Sequence, residues 1–579
     1  ENLSKAIAQK VPHYMIPDIY VQIEEIPLSE NGKVDRKKLP KIEIKEEVEE
    51  KQEPVGEKEK QLAAIYKEIL GNKEIYRNTD FFAAGGNSVL AIRLIAKIKE
   101  VFSTKISVMD IFEYGNLCEL ASKIEDAAPY ANSEKNINII ERYSDMKFPL
   151  SYAQESMWIE CVMEHSSRHT LAAYVDVSGV LDVEDMERAL NKAVQYYDLT
   201  KAVIRVDDNF DPYLTLLKES DYKLNYKDIS EVENKDLELA DICKKEAETI
   251  FDLENGPLCN FSIIKVREKE YRILIAMHHI ISDDISLHLF MQKWLDSRNI
   301  VDEISNDSNA IGASTQKYIM HGISEKDREL GLEEKEYMEQ LIVNSQMLKI
   351  PGTVYTERTM LESAYFSVEL DEYLYKAFKQ ICAKYRASLY MGFLAAFLIL
   401  LQRTSHEKHI TVGTPISSRS SNEIDVMGLM INMELVHAEL EIEKDSFLSI
   451  LEKIYPLIIG YVDKKYIPFS NLLRKLNADD AKKYIPHHIV YNYLEKQEFI
   501  NMDSKIKLGE LQYINNVVGH NFGLTVKVEK EKCHCIFSYK PQYIESSMVD
   551  DLANRFIQVL TRIVDNPKEK IMLGVEESD

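Results

Sequence analysis

At 579 residues the chain is too long for one hydrophobic core, so three or four folding units are expected. Its apolar fraction of 45% and charged fraction of 29% are ordinary for a globular protein. A net charge of −25 argues against nucleic-acid binding, because no basic face able to neutralise phosphates is expected under such an excess.

The chain opens at Glu1 rather than a methionine and shows no signal-peptide pattern, which suggests a piece of something longer. Residues 1–40 close with Ile26-Pro27-Leu28-Ser29-Glu30-Asn31-Gly32-Lys33-Val34-Asp35-Arg36, where Asn31-Gly32 reads as a tight turn between short strands. Residues 41–58 are dominated by Glu and Lys, with Pro54 and Gly56, and read as a solvated linker. Residues 59–128 carry helical periodicity. Leu62, Ile65, Tyr66, Ile69 and Leu70 form one apolar stripe with Gly71 as its stop, and Leu94, Ile95, Ile98, Val101 and Phe102 form a second. Val108 to Phe112 and Leu117 to Ile124 are shorter helices, so a small bundle is predicted.

Within that bundle, Phe81-Phe82-Ala83-Ala84-Gly85-Gly86-Asn87-Ser88 sets one serine at the start of a helix. The plain reading of Ser88 is an N-cap. The preceding glycines leave its hydroxyl unshielded, and a phosphodiester there would sit on the positive end of the helix dipole. Residues 129–146 form a second linker.

From residue 147 onward, strand-like segments (Ala173 to Val177, Cys259 to Val266, Ile273 to Met277, Ile410 to Val412, Val526 to Phe537) mix with helical ones without a βα repeat, which predicts α+β units. The small-residue stretch Asn299 to Ser314 suggests a division into lobes at 147–310 and 311–579. Met277-His278-His279-Ile280-Ile281-Ser282-Asp283-Asp284-Ile285-Ser286 follows the apolar run Tyr271 to Met277 and precedes the helical run Leu287 to Leu295. That order places a proton-transfer group in a strand-to-helix turn. His487-His488 also precedes an apolar stretch, but Asn492 stands where the first doublet has Asp283. Leu389 to Leu401, the longest apolar run, is too short to span a membrane and reads as a core helix. Seven scattered cysteines do not make a disulfide framework and point to a reducing cytoplasm. Cys533-His534-Cys535 alternates across a strand with no second pair nearby, so no metal is expected.

Asp80-Phe81-Phe82 followed by Gly85-Gly86-Asn87-Ser88, in a four-helix unit of this size, resembles the peptidyl carrier domains of nonribosomal peptide synthetases. The resemblance implies that Ser88 carries 4′-phosphopantetheine, attached by a phosphopantetheinyl transferase, with the cargo on its thiol. Residues 12–40, with Pro17, Asn31-Gly32-Lys33-Val34-Asp35-Arg36 and Leu39-Pro40, look like the last piece of an adenylation domain. Lys33 then matches that family's catalytic lysine and is inert without the missing bulk.

Nearly all of residues 147–575 resembles the condensation domains of the same synthetases. Ser151-Tyr152-Ala153-Gln154 with Met157-Trp158 looks like the opening motif. Val412-Gly413-Thr414-Pro415 with Arg419, Gly428 and Asn432 looks like the central one, and Ile467-Pro468-Phe469 with Leu472 like a later one. The resemblance implies two chloramphenicol-acetyltransferase-like lobes in a V, with carrier arms entering a tunnel from opposite ends and meeting at the second histidine. The candidate catalytic residues are then His279, His278 and Asp283: His279 takes or orients the acceptor amine's proton, His278 reads as packed before catalytic, and Asp283 is structural and expected to pair with Arg419.

The family pattern breaks at Asp284, where glycine is usual. A second carboxylate there would favour charged His279, hold an incoming ammonium, or cap the next helix. Tyr196-Tyr197-Asp198-Leu199-Thr200-Lys201 stands where an Arg-His-Glu-type motif is expected, and Ser156 where arginine is usual. The implied activity is amide-bond formation between a donor carried on Ser88 and an amine on a downstream carrier or in solution. No epimerase separates the two domains, so an L-configured donor follows, in a cytoplasmic synthetase without metal, membrane or nucleic-acid partners. The competing expectations are epimerization of the carried aminoacyl group and a degenerate domain that only docks other proteins.

Overall fold

The computed structural model describes residues 52–126, 146–298, 311–326, 363–462, 489–495 and 506–570, apart from short stretches within these ranges, with a few isolated residues between them. The hairpin and Lys33 of residues 1–40, most of the helix at Val108 to Phe112, the Ile467-Pro468-Phe469 motif with Leu472, and His487-His488 lie outside the described residues.

In the helical unit, α1 (Gly56–Ile69), α2 (Ser88–Phe102) and α3 (Leu117–Asp126) bury Leu62, Ile65, Tyr66, Leu94, Ile98, Leu117, Leu120 and Ile124. Helix α1 stops where Gly71 takes a φ of +80°, a left-handed conformation that glycine adopts without cost. The helix begins at Gly56, inside the segment read from sequence as linker. Tyr66 meets Phe81 edge-on with ring centroids 5.2 Å apart. Val101, assigned to the apolar stripe of α2, is 48% exposed, because that stripe centres on Leu94 and Ile98.

The remainder runs through β1 (Phe148–Pro149), α4 (Tyr152–Met163), β2 (Thr170–Gly179), α5 (Val183–Tyr196), β3 (Ala202–Val206), β4 (Pro212–Leu216), β5 (Asn225–Asp228), α6 (Lys235–Ala247), β6 (Cys259–Arg267), β7 (Glu270–His278), α7 (Asp284–Asp296) and α8 (Ala313–Lys326). It continues with β8 (Ala364–Glu369), α9 (Glu372–Lys384), α10 (Leu389–Ser405), β9 (His409–Ser417), β10 (Ile431–Glu439), α11 (Phe447–Val462), β11 (Ile489–Glu495), β12 (Ile506–Leu508), β13 (Gln512–Tyr513), β14 (Phe522–Glu529), β15 (Lys532–Tyr539) and α12 (Ser546–Asp565). The segment read as one strand from Val526 to Phe537 is an antiparallel hairpin. Its apolar alternation runs along both strands, which meet at the charged pair Glu529 and Lys532, register partners at the end of the hairpin.

Two large sheets carry the architecture. The first has the order β12-β2-β7-β6-β5, with β13 also pairing β2, and the second the order β10-β9-β11-β14-β15-β8. A small third sheet, β1-β4-β3, lies apart. Behind the first sheet, α5 and α7 bury Met186, Leu190, Leu287, Phe290 and Trp294 against Val175, Phe261 and Ile275. Behind the second, α10 is apolar on every side and buried from Met391 to Gln402, as befits a helix enclosed by α11, α12 and the sheet. Among the described residues no single helix is long and apolar enough to cross a membrane. Helices α9 and α10 meet that test only as a pair bent by 106°.

Strands β11 and β14 are parallel neighbours, so the chain must cross over between them. It does so by leaving the second sheet, adding β12 and β13 to the edge of the first, and returning. Helix α8 likewise packs in the first half: Ile311, Tyr318 and Ile319 share a core with Phe148, Leu150, Leu199 and Ile280. Leu199 N–H donates to Thr315 Oγ1 at 3.1 Å, and Gly312 N–H to Asp198 Oδ2 at 2.8 Å. A division at residue 310 therefore does not follow the cores, because the segment 311–326 packs with the small third sheet and the segment 506–514 with the first.

Candidate active site

Strand β7 delivers the histidine pair. It is buried from Ile273 to His278 and hydrogen-bonded on both edges, to β2 and β6, so its end is rigidly placed. A single 3₁₀ turn, His279–Ile281, then leads into α7. Ser282 Oγ donates to His278 O at 3.0 Å and its N–H to His279 O at 3.2 Å, closing the turn on itself.

The two imidazoles are bound differently. His279 Nδ1 lies 2.6 Å from Ser282 O, and a carbonyl can only accept, so Nδ1 carries the proton. That leaves Nε2 of the half-buried His279 as the nitrogen able to take another. His278 is 5% exposed, and its Nδ1 accepts from Ile280 N–H at 3.0 Å. Its proton therefore sits on Nε2, which faces Cys161 Sγ at 3.7 Å. Burial, then the charge of His279, pushes the pKa of His278 down to about 3. Burial also depresses neighbouring His169 to about 3, with Arg168, His278 and His279 adding to it, and pushes the Cys161 thiol up to about 12. Both ring nitrogens of His278 thus have neighbours, Ile280 N–H on Nδ1 and Cys161 Sγ on Nε2.

Asp283 is fully buried and is the N-cap of α7, its Oδ1 accepting from Ser286 N–H at 2.9 Å and from Ser286 Oγ at 2.7 Å. Arg419, 4% exposed, grips it with Nη1 on Oδ2 and Nη2 on Oδ1, and Met430 N–H adds a second donor to Oδ2 at 3.1 Å. Burial pushes this carboxyl up, but the charge and hydrogen bonds of Arg419 and the bonds from Ser286 outweigh it and hold it below the usual carboxylate range. The pairing expected with Arg419 is present. With every oxygen of Asp283 so engaged, the residue braces the turn and does not touch the imidazole.

Asp284 is the first residue of α7 and not its cap, which corrects the capping alternative: the extended backbone at Asp283, φ −138° and ψ −176°, makes that residue the cap. Tyr513 OH donates to Asp284 O at 3.2 Å, joining the crossover segment to the start of α7. The Asp284 carboxyl is raised, first by burial and then by Asp283, against the pull of His279 and Arg419.

The opening motif acts on the same turn. Ser151 and Gln154 cap α4 reciprocally, and Gln154 Nε2 reaches Ile280 O at 2.9 Å. Ser286 Oγ and Gly428 exchange hydrogen bonds, N–H donating at 3.0 Å and O accepting at 2.9 Å. The segment in place of the Arg-His-Glu-type motif holds a buried ion pair, Lys201 Nζ to Asp198 Oδ1 at 3.1 Å. Sequence reasoning did not anticipate the roles of Ser286, Tyr513, Cys161 and His169. Only Ser286 had a local signal, its position three residues after a capping aspartate. Asn492 stands in β11, away from any comparable turn. Cys533 and Cys535 are buried on one face of β15 with His534 on the other, and all seven cysteines are free. Among the described residues no cluster of three or more His, Cys, Asp or Glu side chains could hold a metal.

Residues 144–573 match the family model described as the condensation domain. The chain belongs to that family. Residues 60–124 of this condensation-domain protein match a second model, the phosphopantetheine attachment site, which indicates covalent 4′-phosphopantetheine. Similar curated proteins include gramicidin S synthase 2 of Brevibacillus brevis, 24% identical over 98% of this chain. Gramicidin S synthase 2 of Aneurinibacillus migulanus is 25% identical over 99%, and bacitracin synthase 3 of Bacillus licheniformis 26% over 97%. The chain spans only 12%, 13% and 9% of those proteins. Among solved structures, the first condensation domain of the calcium-dependent antibiotic synthetase with a substrate analogue aligns at a TM-score of 0.60 and 16% identity, covering 74% of this chain and 98% of that one. The X-domain from teicoplanin biosynthesis aligns at 0.62 and 14%, covering 75% and 98%. At such identities the likeness establishes the fold, a mixed α/β condensation domain.

Ser88, the expected attachment residue, is the first residue of α2, and no acidic residue stands in that helix's first turn. A phosphodiester attached there would meet the positive end of the helix with no first-turn carboxylate to repel it. Gly86 lies so close to Phe81 that any side chain there would run into its ring, so only glycine fits beside the helix start. These residues fit the group.

Proposed function

We propose that this chain forms amide bonds in nonribosomal peptide synthesis, with Ser88 as the attachment residue and His279 as the proton-handling group. The observation that carries the reading is the fixed His279 ring: Nδ1 donates into its own turn, and Nε2 is left as a half-buried acceptor at the end of a rigid strand. The phosphopantetheine arm supplies the donor acyl group as an activated thioester. Nε2 of His279 accepts or orients the proton of the acceptor amine as nitrogen adds to the acyl carbon, then releases it to the departing sulfur. Asp283 and Arg419 hold the turn in place, and His278 fills the space behind it.

On this reading residues 59–128 are the carrier, and the two sheet units correspond to two chloramphenicol-acetyltransferase-like lobes with the substrate passage between them. Residues 1–40 are the tail of an adenylation domain. The donor is L-configured, and the acceptor amine sits on a downstream carrier or is free. The partners are a phosphopantetheinyl transferase and the rest of a cytoplasmic synthetase.

Treatment of the chain with a phosphopantetheinyl transferase and an aminoacyl donor, followed by intact-mass measurement, tests the attachment. Ser88→Ala is expected to abolish the mass increment. His279→Ala is expected to load normally while amide formation falls by roughly 10²–10⁴-fold. Unchanged product formation in that variant would leave only a docking role. Uptake of α-deuterium from deuterated water without any acceptor would instead identify an epimerase.

A further inference from the structure

The turn after β7 contains two adjacent carboxylates, and only one is matched. Asp283 is neutralised by the two-pronged grip of Arg419 and receives further hydrogen bonds from Ser286 and Met430. Asp284 is half-buried, and among the described residues no hydrogen-bond donor or cation reaches its carboxylate. Its backbone is nevertheless pinned, because Tyr513 OH donates to its carbonyl at 3.2 Å and its N-terminal neighbour caps the helix. A half-buried anion without a partner is unfavourable, and it marks a place where a cation belongs. A role in complementing the α7 dipole does not require that burial, since an exposed acid in the first turn serves as well. The titratable and charged groups around it are His279, Asp283 and Arg419. The last two cancel each other, which leaves Asp284 as the unbalanced charge beside the proposed proton acceptor.

We propose that Asp284 binds the acceptor as an ammonium ion and removes its first proton, which makes it a specificity-determining residue for cationic amine acceptors. This rests on the amide-forming reading. Acceptor amines are largely protonated at neutral pH and unreactive in that form. One ammonium proton passes to the Asp284 carboxylate, leaving a neutral amine with a free electron pair. That pair forms the C–N bond as the C–S bond breaks. The amine's second proton moves to His279 Nε2 and from there to the departing sulfur, and Asp284 returns its proton to water. The raised pKa of this carboxyl suits it to take a proton from an ammonium.

The test uses the full chain loaded on its carrier, with two soluble nucleophiles: an amino-acid amide, cationic at neutral pH, and hydroxylamine, largely uncharged there. Asp284→Asn and Asp284→Gly are each expected to raise KM for the amide about tenfold or more while leaving KM for hydroxylamine within about twofold. Asp284→Glu should restore part of the preference, and Asp284→Asn should weaken calorimetric binding of the amide to the same extent. Equal loss toward both nucleophiles, or an unchanged preference with unchanged binding, overturns the assignment. If wild-type chain binds the amide in an Asp284-dependent way yet forms no amide bond, this inference stands and the amide-forming reading fails.

Discussion

The guanidinium of Arg419 and the carboxylate of Asp283, 136 residues apart, lie in a two-pronged pair with N···O distances of 2.6 and 2.8 Å. The pair connects the loop after β9 to the cap of α7, so the position of His279 depends on a residue from the other half of the domain. Both charges are inaccessible to water, and removing one strands the other. Asp283→Ala and Arg419→Ala are each expected to cost about 3–5 kcal/mol in denaturant unfolding. The double replacement Asp283→Leu with Arg419→Met should cost clearly less than the sum of the two. Additive losses would show that the pair contributes nothing as a unit. Because the folded pKa of Asp283 is depressed, its contribution is present above the ordinary carboxylate range and is lost as pH falls through the lower folded value.

His278 predicts a second acid sensitivity of a different kind. Its pKa falls from an ordinary 6.5 to about 3 on folding, so between those values the unfolded chain binds the extra proton. Stability therefore rises with pH across that window and is lost on acidification. His278→Asn, which keeps an acceptor for Ile280 N–H, is expected to flatten the slope of stability against pH there. An equally steep slope in the variant would place the acid sensitivity elsewhere, with His169, depressed to about 3, as the next group to replace.

Gly428 offers a steric test. A Cβ at this position would collide with the Tyr318 ring, and its N–H and carbonyl are both used by Ser286. Gly428→Ala is expected to cost about 1–3 kcal/mol by overpacking and to lower amide formation through displacement of Ser286. Adding Tyr318→Leu should recover most of that stability. No recovery would mean that the backbone, and not the ring, sets the requirement.

The helices were legible wherever an apolar stripe was long: α1, α2 and α10 follow directly from spacing, as does β7 with its turn. The Asp283–Arg419 pair was reached only through the family's motifs, since nothing local relates two residues so far apart. The crossover was not legible. Strands β12 and β13 are three and two residues long, too short for any alternation to register, and what defines them is pairing with β2. The role of Tyr513 was hidden for the same reason. The choice of cap between Asp283 and Asp284 turned on one backbone conformation that composition does not encode. Val101 marks the limit of stripe counting: one position of angular drift along α2 carries it from the core to water.

Because residues 506–514 complete a sheet begun more than three hundred positions earlier, the two halves of the condensation domain are interleaved and not modular. A chimera that exchanges everything after residue 310 would also replace the edge strand of the half it meant to keep, together with the tyrosine against Asp284. Recombination of such enzymes should therefore treat the whole span as one indivisible unit, or graft the strap along with the half it completes.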